Sequence, residues 1–303
     1  MLKYLKSPDT LLKAGNVTIP SFLSNDLANK DDIVIADFGE EWEKFSEFSE
    51  SDLTTVGISY FSLLQKTNIS KTSCALDIGC GTGRWAYYLS DKVKFIEAID
   101  PSKAVYTAGK MLSTRDNVRV SQCDLDNIPF AENSFDLVYS LGVLHHIPDT
   151  PKAINKSVSF VKPGGVFLVY LYYALDNRGP LFKALFHFSN LFRWGISRLP
   201  RRLKLLICDL IALTIYVPLV GLSKLIKRLN PKGKLWRKIP LSVYAIHDNS
   251  FNILRNDALD RFGTRLEQRF TRKEIKELLE NAGLLNIQFS ENPPYWVAMG
   301  NRK

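Results

Sequence analysis

A doubly wound α/β fold with a mostly parallel, seven-stranded sheet is predicted by three observations. Short apolar runs alternate with segments of helical period from position 74 to position 172. The connections between them are short, so each strand–helix–strand unit returns to the same sheet. The first run, Cys74–Ile78, passes into Gly79-Cys80-Gly81-Thr82-Gly83 and then directly into a helix. That arrangement lets a ligand lie against bare backbone. The spacing is G-x-G-x-G with Arg84 behind it, whereas the nicotinamide fingerprint needs G-x-G-x-x-G. No lysine follows Gly83, so a phosphate-binding loop is excluded as well.

The elements follow in order. Gly15-Asn16 marks a turn, and Val17–Leu23 is a short apolar piece interrupted by Pro20. Phe38-Gly39-Glu40-Glu41-Trp42-Glu43-Lys44-Phe45 begins an amphipathic stretch; its aromatics either pack on the main domain or form a lid over a ligand. Tyr60–Leu64 reads as a helix leading into the first strand at Cys74–Ile78, and Arg84–Ser90 as the helix after it. Lys94–Asp100 is the next strand, and Ser102 caps a helix carrying Val105, Ala108 and Met111. Asn117–Gln122 and Ser134–Leu141 are strands. Thr150-Pro151 starts a helix with Ile154, Val158 and Val161 on one face; Lys162-Pro163-Gly164-Gly165 ends it, and Val166–Tyr172 is a strand. After a break in the pattern, Thr271-Arg272-Lys273-Glu274 forms a capping box for a helix that Gly283 stops. Leu284–Phe289 and Tyr295–Met299 close the sheet as a hairpin through Pro293-Pro294. The expected divisions are an N-terminal helical or lid segment at 1–69, a ligand-binding core at 70–173, a helical cap or insertion at 174–265, and a closing helix and strands at 266–303.

The 303 residues carry a net charge of +9, unevenly placed. Residues 174–240 hold fourteen Lys/Arg against Asp176 and Asp209, a local charge of +12, while the rest of the chain sums to −3. The same segment is densely apolar: Leu181 to Trp194 makes one helix, and Leu205–Ser223 is nineteen residues with a single charge, Asp209. Length nearly permits a membrane span. Asp209, the helix-breaking Pro218, basic clusters at both ends, and a return of both chain ends to one sheet argue against it. Three readings stay open: a helical cap building an acceptor pocket, a face resting on an anionic membrane surface through 181–238, or a holder of RNA phosphates. So apolar a run suits lipid or a buried cap better than RNA, and DNA is not expected. Exposed apolar helices offer a homodimer contact. The cysteines Cys74, Cys80, Cys123 and Cys208 show no paired spacing, so structural zinc, any other metal site and a disulfide framework are not expected. With no signal peptide at the N-terminus, the expected location is the cytoplasm, at most peripheral to the membrane's inner face.

The strand ends offer groups suited to one ligand. Asp100, 21 residues after Gly79, is placed to take both hydroxyls of a ribose. Charged hydrogen bonds of that type are worth roughly 1.5–3 kcal/mol each. Asp124 can accept from an exocyclic amine, with Leu125 and Ile128 on either face of a base. Asp77 can orient the glycine loop or meet a ligand ammonium. The set points to an adenosine with a cationic tail.

These residues carry a resemblance. Asp77–Gly83, Asp100, Cys123-Asp124-Leu125 and Ser134–Asp149 resemble class I S-adenosylmethionine-dependent methyltransferases of the type 11 branch, over residues 70–173 together with the last helix and strands. The resemblance implies S-adenosyl-L-methionine as cofactor, released as S-adenosyl-L-homocysteine. It places Asp77, Gly79, Cys80, Gly81 and Gly83 near its methionine part, Asp100 at the ribose, and Asp124 and Leu125 at the adenine. Leu141 and the turn Gly142–His146 would face the sulfonium and the acceptor. Asn256–Thr271 is similar to an acceptor-side segment of methyltransferases from bacterial biosynthetic clusters, and Phe38-Gly39-Glu40-Glu41-Trp42 to an element of their heads, although the head cysteines are absent here. The implied activity is methyl transfer by in-line displacement to a small or amphiphilic acceptor in bacterial biosynthesis. An RNA methyltransferase and a non-catalytic, membrane-associated cofactor-binding module are the alternatives. His145, His146 and Asp260 are the candidate catalytic residues, because a hydroxyl or acidic-carbon acceptor needs a base. Glu267 is a further polar candidate, and Trp42, His247, Arg261 and Tyr295 are candidates for holding the acceptor.

Overall fold

The computed structural model describes residues 2–23, 29–44, 50–233, 235–245 and 251–303, the side chains at 40–44, 50–52, 55, 238 and 243 excepted. The chain divides into two compact units, Met1–Ala174 with Leu266–Lys303, and Leu175–Arg265.

The first unit contains, in chain order, β1 (Thr10–Ala14), β2 (Val17–Ser21), α1 (Asp32–Lys44), α2 (Glu50–Phe61), β3 (Cys74–Ile78), α3 (Arg84–Ser90), β4 (Phe95–Asp100), α4 (Ala104–Met111), β5 (Val118–Gln122), β6 (Phe135–Leu141), α5 (Thr150–Ser159) and β7 (Val161–Tyr170). The second unit supplies α6 (Pro180–Ile196), α7 (Arg201–Ile211), α8 (Val217–Leu229) and α9 (Phe251–Gly263). The chain then returns to the first unit as α10 (Arg272–Asn281), β8 (Leu284–Phe289) and β9 (Val297–Arg302).

The sheet runs β1-β2-β5-β4-β3-β6-β7-β9-β8. Strands β5, β4, β3, β6 and β7 are parallel, and β9 enters antiparallel between β7 and β8. Alternate residues of adjacent strands feed opposite faces, as the two-residue period of a strand requires. Leu76, Val138 and Phe167 meet Ile154 of α5 and Ile275 and Leu279 of α10 on one side. Ala75, Leu137 and Leu168 meet Leu89 of α3 and Val105 and Ala108 of α4 on the other. Helices therefore cover both faces, and the open edge at the strands' carboxyl ends is left for a ligand.

Several expectations are corrected. The sheet has nine strands rather than seven, because residues 10–21 form an antiparallel hairpin that joins β5 through Ser21 and Gln122. The segment 1–69 is thus not wholly helical; buried Ala14 and Ile19 pin the hairpin beside α4, and Ile19 lies so close to Gly109 that a Cβ there would meet its Cδ1 at 2.8 Å. Strand β7 starts at Val161, five residues before the expected Val166, and takes Lys162–Gly165 into an irregular stretch of the ladder. Helix α5 starts at Thr150-Pro151 as expected, capped by Asp149, whose Oδ1 accepts the Lys152 N–H at 2.9 Å, while the Thr150 hydroxyl donates to Leu144 O. Pro218 does not break its helix. Arg201–Leu229 is continuous, and a π-helical turn at Ala212–Tyr216, in which the Val217 N–H donates to Ala212 O, stands immediately before the proline. The capping box at Thr271 and Glu274 forms as read.

Candidate active site at the carboxyl ends of β3 to β7

Apolar residues on both faces bury β3, so its end can carry only a few polar groups, each placed by the strand's pleat. Gly79, Gly81 and Gly83 adopt φ of +77°, +53° and +84°, the left-handed region that disfavours a Cβ. Space forbids one too: a Cβ at Gly79 would stand 2.5 Å from Val143, and at Gly83 2.7 Å from Leu112. The loop is stitched to the neighbouring strand, with Gly79 N and Cys80 N both donating to Ile99 O at 2.9 Å. Burial pushes the Cys80 thiol well above its usual range, so it is an inert packing group.

Four carboxyl and hydroxyl groups surround that loop. Asp100, at the end of β4, accepts the Gly81 N–H on Oδ2 at 2.9 Å and the Ser102 N–H and hydroxyl on Oδ1 at 2.8 and 2.6 Å. It thereby fastens the loop to the start of α4, a role the sequence does not display. Burial raises its pKa and these three donors hold it down. The Asp124 Oδ1 accepts from the Asn127 backbone and side chain, whereas its buried Oδ2 has no hydrogen-bond partner; the Lys30 ammonium stands 3.5 Å off. Leu125 is buried beside it, in the turn Leu125–Asn127. Asp77 Oδ2 and Thr82 Oγ1 are likewise buried without a hydrogen-bond partner. Burial pushes the Asp77 carboxyl up to about 8; the Tyr139 hydroxyl and Arg84 oppose the rise, and Asp100 adds to it. Tyr139 lies close enough to favour the carboxylate without reaching hydrogen-bond geometry. Leu141 is buried at the end of β6, followed by Gly142 at φ +82°.

The histidines sit in a short 3-10 turn, Leu144–His146, after β6. His145 is fully buried, its ring 4.0 Å from Tyr172 and 4.1 Å from His146, with neither nitrogen hydrogen-bonded among the described residues. Burial, with His146 and Arg269 adding to it, holds its pKa well below the usual value, so the ring is neutral. Both nitrogens of His145 are enclosed, as is Nε2 of His146. His146 Nδ1 lies 2.7 Å from Leu266 O, which can only accept. Nδ1 therefore carries a proton in this contact. The returning segment locks this turn in place: Gln268 N donates to His145 O, and its side chain to Ile147 O. Next to it Arg269 pairs with Glu267 at 2.6 Å and stacks over Tyr172 at 5.0 Å.

The acceptor-side candidates divide. Tyr295 stands beside Tyr173 and Trp296 just before β9, whose Val297 pairs with Tyr170 at the end of β7. It is therefore on the same edge as the glycine loop. Trp42 lies in α1 with its side chain outside the described atoms, and His247 is outside the described residues. Asp260 and Arg261 belong to α9 of the second unit. There Arg261 donates to Ser189 Oγ and Asn190 Oδ1 and packs over Phe186, which ties α9 to α6. Sequence reasoning missed Lys30, Thr82, Ser102 and Tyr139, whose proximity to the loop depends on tertiary packing. Ser102 alone had a local signal, as the cap of α4.

Orphaned carboxylate oxygens beside glycine backbone fit a ligand with an exocyclic amine and a positive charge; they do not fit a phosphate. Residues 76–169 match a family model described as a methyltransferase domain. An uncharacterised methyltransferase of Mycobacterium tuberculosis is 30% identical over 124 residues, covering 41% of this chain and 63% of that protein. A demethylmenaquinone methyltransferase of Staphylococcus epidermidis is 31% identical over 128 residues, covering 41% of this chain and 52% of that protein. The chain thus spans less than two thirds of the length of these curated relatives. Among solved structures, phosphoethanolamine N-methyltransferase 2 of Haemonchus contortus, in complex with phosphomonomethylethanolamine and S-adenosylhomocysteine, aligns with a TM-score of 0.47 at 15% identity, covering 89% of this chain and 47% of that one. The fold assignment rests on the strand order of this chain rather than on that likeness.

Proposed function

We propose, from the premise that this chain carries a class I S-adenosylmethionine-dependent methyltransferase domain of the type 11 branch, that it transfers a methyl group from S-adenosyl-L-methionine to a small or amphiphilic acceptor. One observation carries the reading: Asp77 and Asp124, each with a buried Oδ2 that accepts no hydrogen bond among the described residues, that of Asp124 paired only with the Lys30 ammonium, flank a left-handed glycine loop that Asp100 fastens at the carboxyl ends of β3 to β5. When bound, the cofactor supplies a methyl group on a positively charged sulfur with a good neutral leaving group.

The chain's residues have to bind, align and exclude water. Gly79, Gly81 and Gly83 hold the left-handed turn that brings bare backbone to the strand ends. A positive tail favours ionisation of the Asp77 carboxyl, opposing the burial that pushes its pKa up to about 8. Asp100 offers the one lone-pair site left on Oδ2 to a ribose hydroxyl, and Asp124 Oδ2 accepts from the adenine amine, with Leu125 and Leu141 as apolar walls. For an acceptor that must lose a proton, His146 is the candidate base, its ring oriented by the Nδ1 contact to Leu266 O. His145 and Gln268 position the turn that carries it.

Isothermal titration with S-adenosyl-L-homocysteine, followed by release of that product from S-adenosyl-L-methionine over a panel of phenolic, quinol and aminoalcohol amphiphiles, tests the reading. Binding with turnover on one of these supports it. Turnover only on RNA, with affinity falling steeply with salt, would replace the acceptor class. Binding without turnover on any acceptor would favour a cofactor-binding module.

A further inference from the structure

The helix Arg201–Leu229 is inverted relative to a surface helix of a soluble protein in that its more apolar side faces outward. Its packed stripe mixes Lys204, Tyr216 and Ser223 with Cys208, Ala212 and Val220, and Ala212, Tyr216 and Val220 join an apolar cluster with Leu254 and Ala258. Lys204 donates to Gly263 O from this buried side. The outward stripe is Leu206, Leu210, Leu213, Val217, Leu222 and Leu225, each between 39% and 56% exposed. Only 22% of the most apolar window of this helix is buried, so it is not the core helix of a globular domain. The charge within it, Asp209, turns inward to Arg255 of α9, with Nε to Oδ1 at 2.8 Å.

Helix α6 repeats the inversion. None of its residues is fully buried, and Leu181, Phe188, Leu191 and Trp194 are 57–84% exposed. Its inward side carries Ser189 and Asn190, which accept from Arg261, and Arg193, which donates to Thr264 O. Two helices whose outward sides are richer in leucine and aromatics than their seams leave an apolar surface of the kind that marks an interaction site.

Charge selects the occupant. Arg198 precedes the long helix, Arg201 and Arg202 open it, Lys224, Lys227 and Arg228 close it, and the segment 174–240 carries +12. A second copy would bring the same positive rims against these, and a nucleic acid has no use for the leucines between them. A bilayer with anionic headgroups offers hydrocarbon to the stripe and negative charge to both rims. The packed side binds α9 through Asp209–Arg255 and Lys204–Gly263, and α9 also carries Asn256, Asp257 and Asp260, so that side stays out of hydrocarbon. We propose that the second unit docks in the plane of an anionic leaflet, with the outward faces of α7–α8 and α6 sunk into it.

Flotation of the full chain with vesicles of phosphatidylcholine, alone or with roughly one third phosphatidylglycerol, tests this. The wild type floats with anionic vesicles at least about tenfold better than with neutral ones, and the preference shrinks at high salt. The double variant L206E/L213E loses flotation by about tenfold or more while its melting temperature and its affinity for S-adenosyl-L-homocysteine match wild type. No flotation of wild type, or undiminished flotation of the variant, would overturn the proposal. So would a dimer in sedimentation that the same substitutions dissolve in the absence of vesicle binding. Flotation without any cofactor binding would leave docking standing and remove the methyl-transfer reading instead.

Discussion

The Oδ2 atom of Asp100 accepts the Gly81 N–H at 2.9 Å, so the carboxylate that ends β4 and the glycine loop that ends β3 form one rigid piece. Its Oδ1 holds Ser102 in the same way. Replacing Asp100 therefore does two things at once. Asp100→Ala abolishes measurable binding of S-adenosyl-L-homocysteine and lowers the melting temperature, because the Gly81 and Ser102 N–H groups lose their acceptor. Asp100→Asn keeps one oxygen and melts closer to wild type, yet still binds at least about tenfold more weakly, since a charged hydrogen bond is worth roughly 1.5–3 kcal/mol. Wild-type affinity in Asp100→Asn, by calorimetry, would remove the carboxylate from the ribose assignment.

Gly79→Ala is predicted to be costly on two counts. Its φ of +77° strains any side chain, and the new Cβ would stand 2.5 Å from Val143. A loss of about 1–3 kcal/mol in denaturant unfolding is expected. Adding Val143→Ala recovers part of that loss by removing the clash, while the strain from φ remains. Full recovery, or none, would show that only one of the two causes operates.

The buried acids set a pH dependence. Asp77 rises to about 8 and Glu97 to about 7, chiefly through burial. A carboxyl whose pKa is higher folded than unfolded makes the folded state bind protons more tightly. Its contribution is fully present below the unfolded pKa of about 4 and is lost as pH rises to the folded value. Melting temperature is therefore expected to fall between about pH 5 and pH 8 on account of these two groups. Asp77→Asn flattens that decline and raises the melting temperature at pH 8, while weakening cofactor binding. An unchanged slope in Asp77→Asn would mean that its carboxyl ionises normally in the folded chain.

His145 and His146 separate in kinetics. His146→Ala lowers turnover by about 10²–10⁴ on an acceptor that must be deprotonated, with cofactor affinity retained. His145→Ala removes a ring packed between Tyr172 and His146, so its main effect is on stability, with rate following only as the turn loosens. Equal pH–rate profiles for wild type and His146→Gln would argue against a base at this position.

Much of this was legible because it is written in neighbouring residues. The strand Cys74–Ile78, its glycine loop and the capping box Thr271–Glu274 each lie within one short stretch, and each forms as read. The hairpin Thr10–Ser21 was not legible, since Leu11 and Leu12 do not alternate with polar residues and Pro20 reads as a break. Pro218 misled for a similar reason: a proline is tolerated where a π turn precedes it, and no single residue announces such a turn. At the site, the carboxylates are visible in sequence, but their partners are not. Lys30 approaches Asp124 across 94 residues of chain, and the enclosure of His145 by Tyr172 depends on how β7 and the segment before α10 come together.

The central claim is that a cationic nucleoside is held at the ends of β3 to β5 by glycine backbone and carboxylates. Calorimetric titration of the wild-type chain with S-adenosyl-L-methionine, alongside the nicotinamide dinucleotide as a control, tests it most directly. The account predicts saturable one-to-one binding of the sulfonium nucleoside, lost in Asp100→Ala, and no heat from the dinucleotide. Binding of the dinucleotide with none of the sulfonium nucleoside would contradict it.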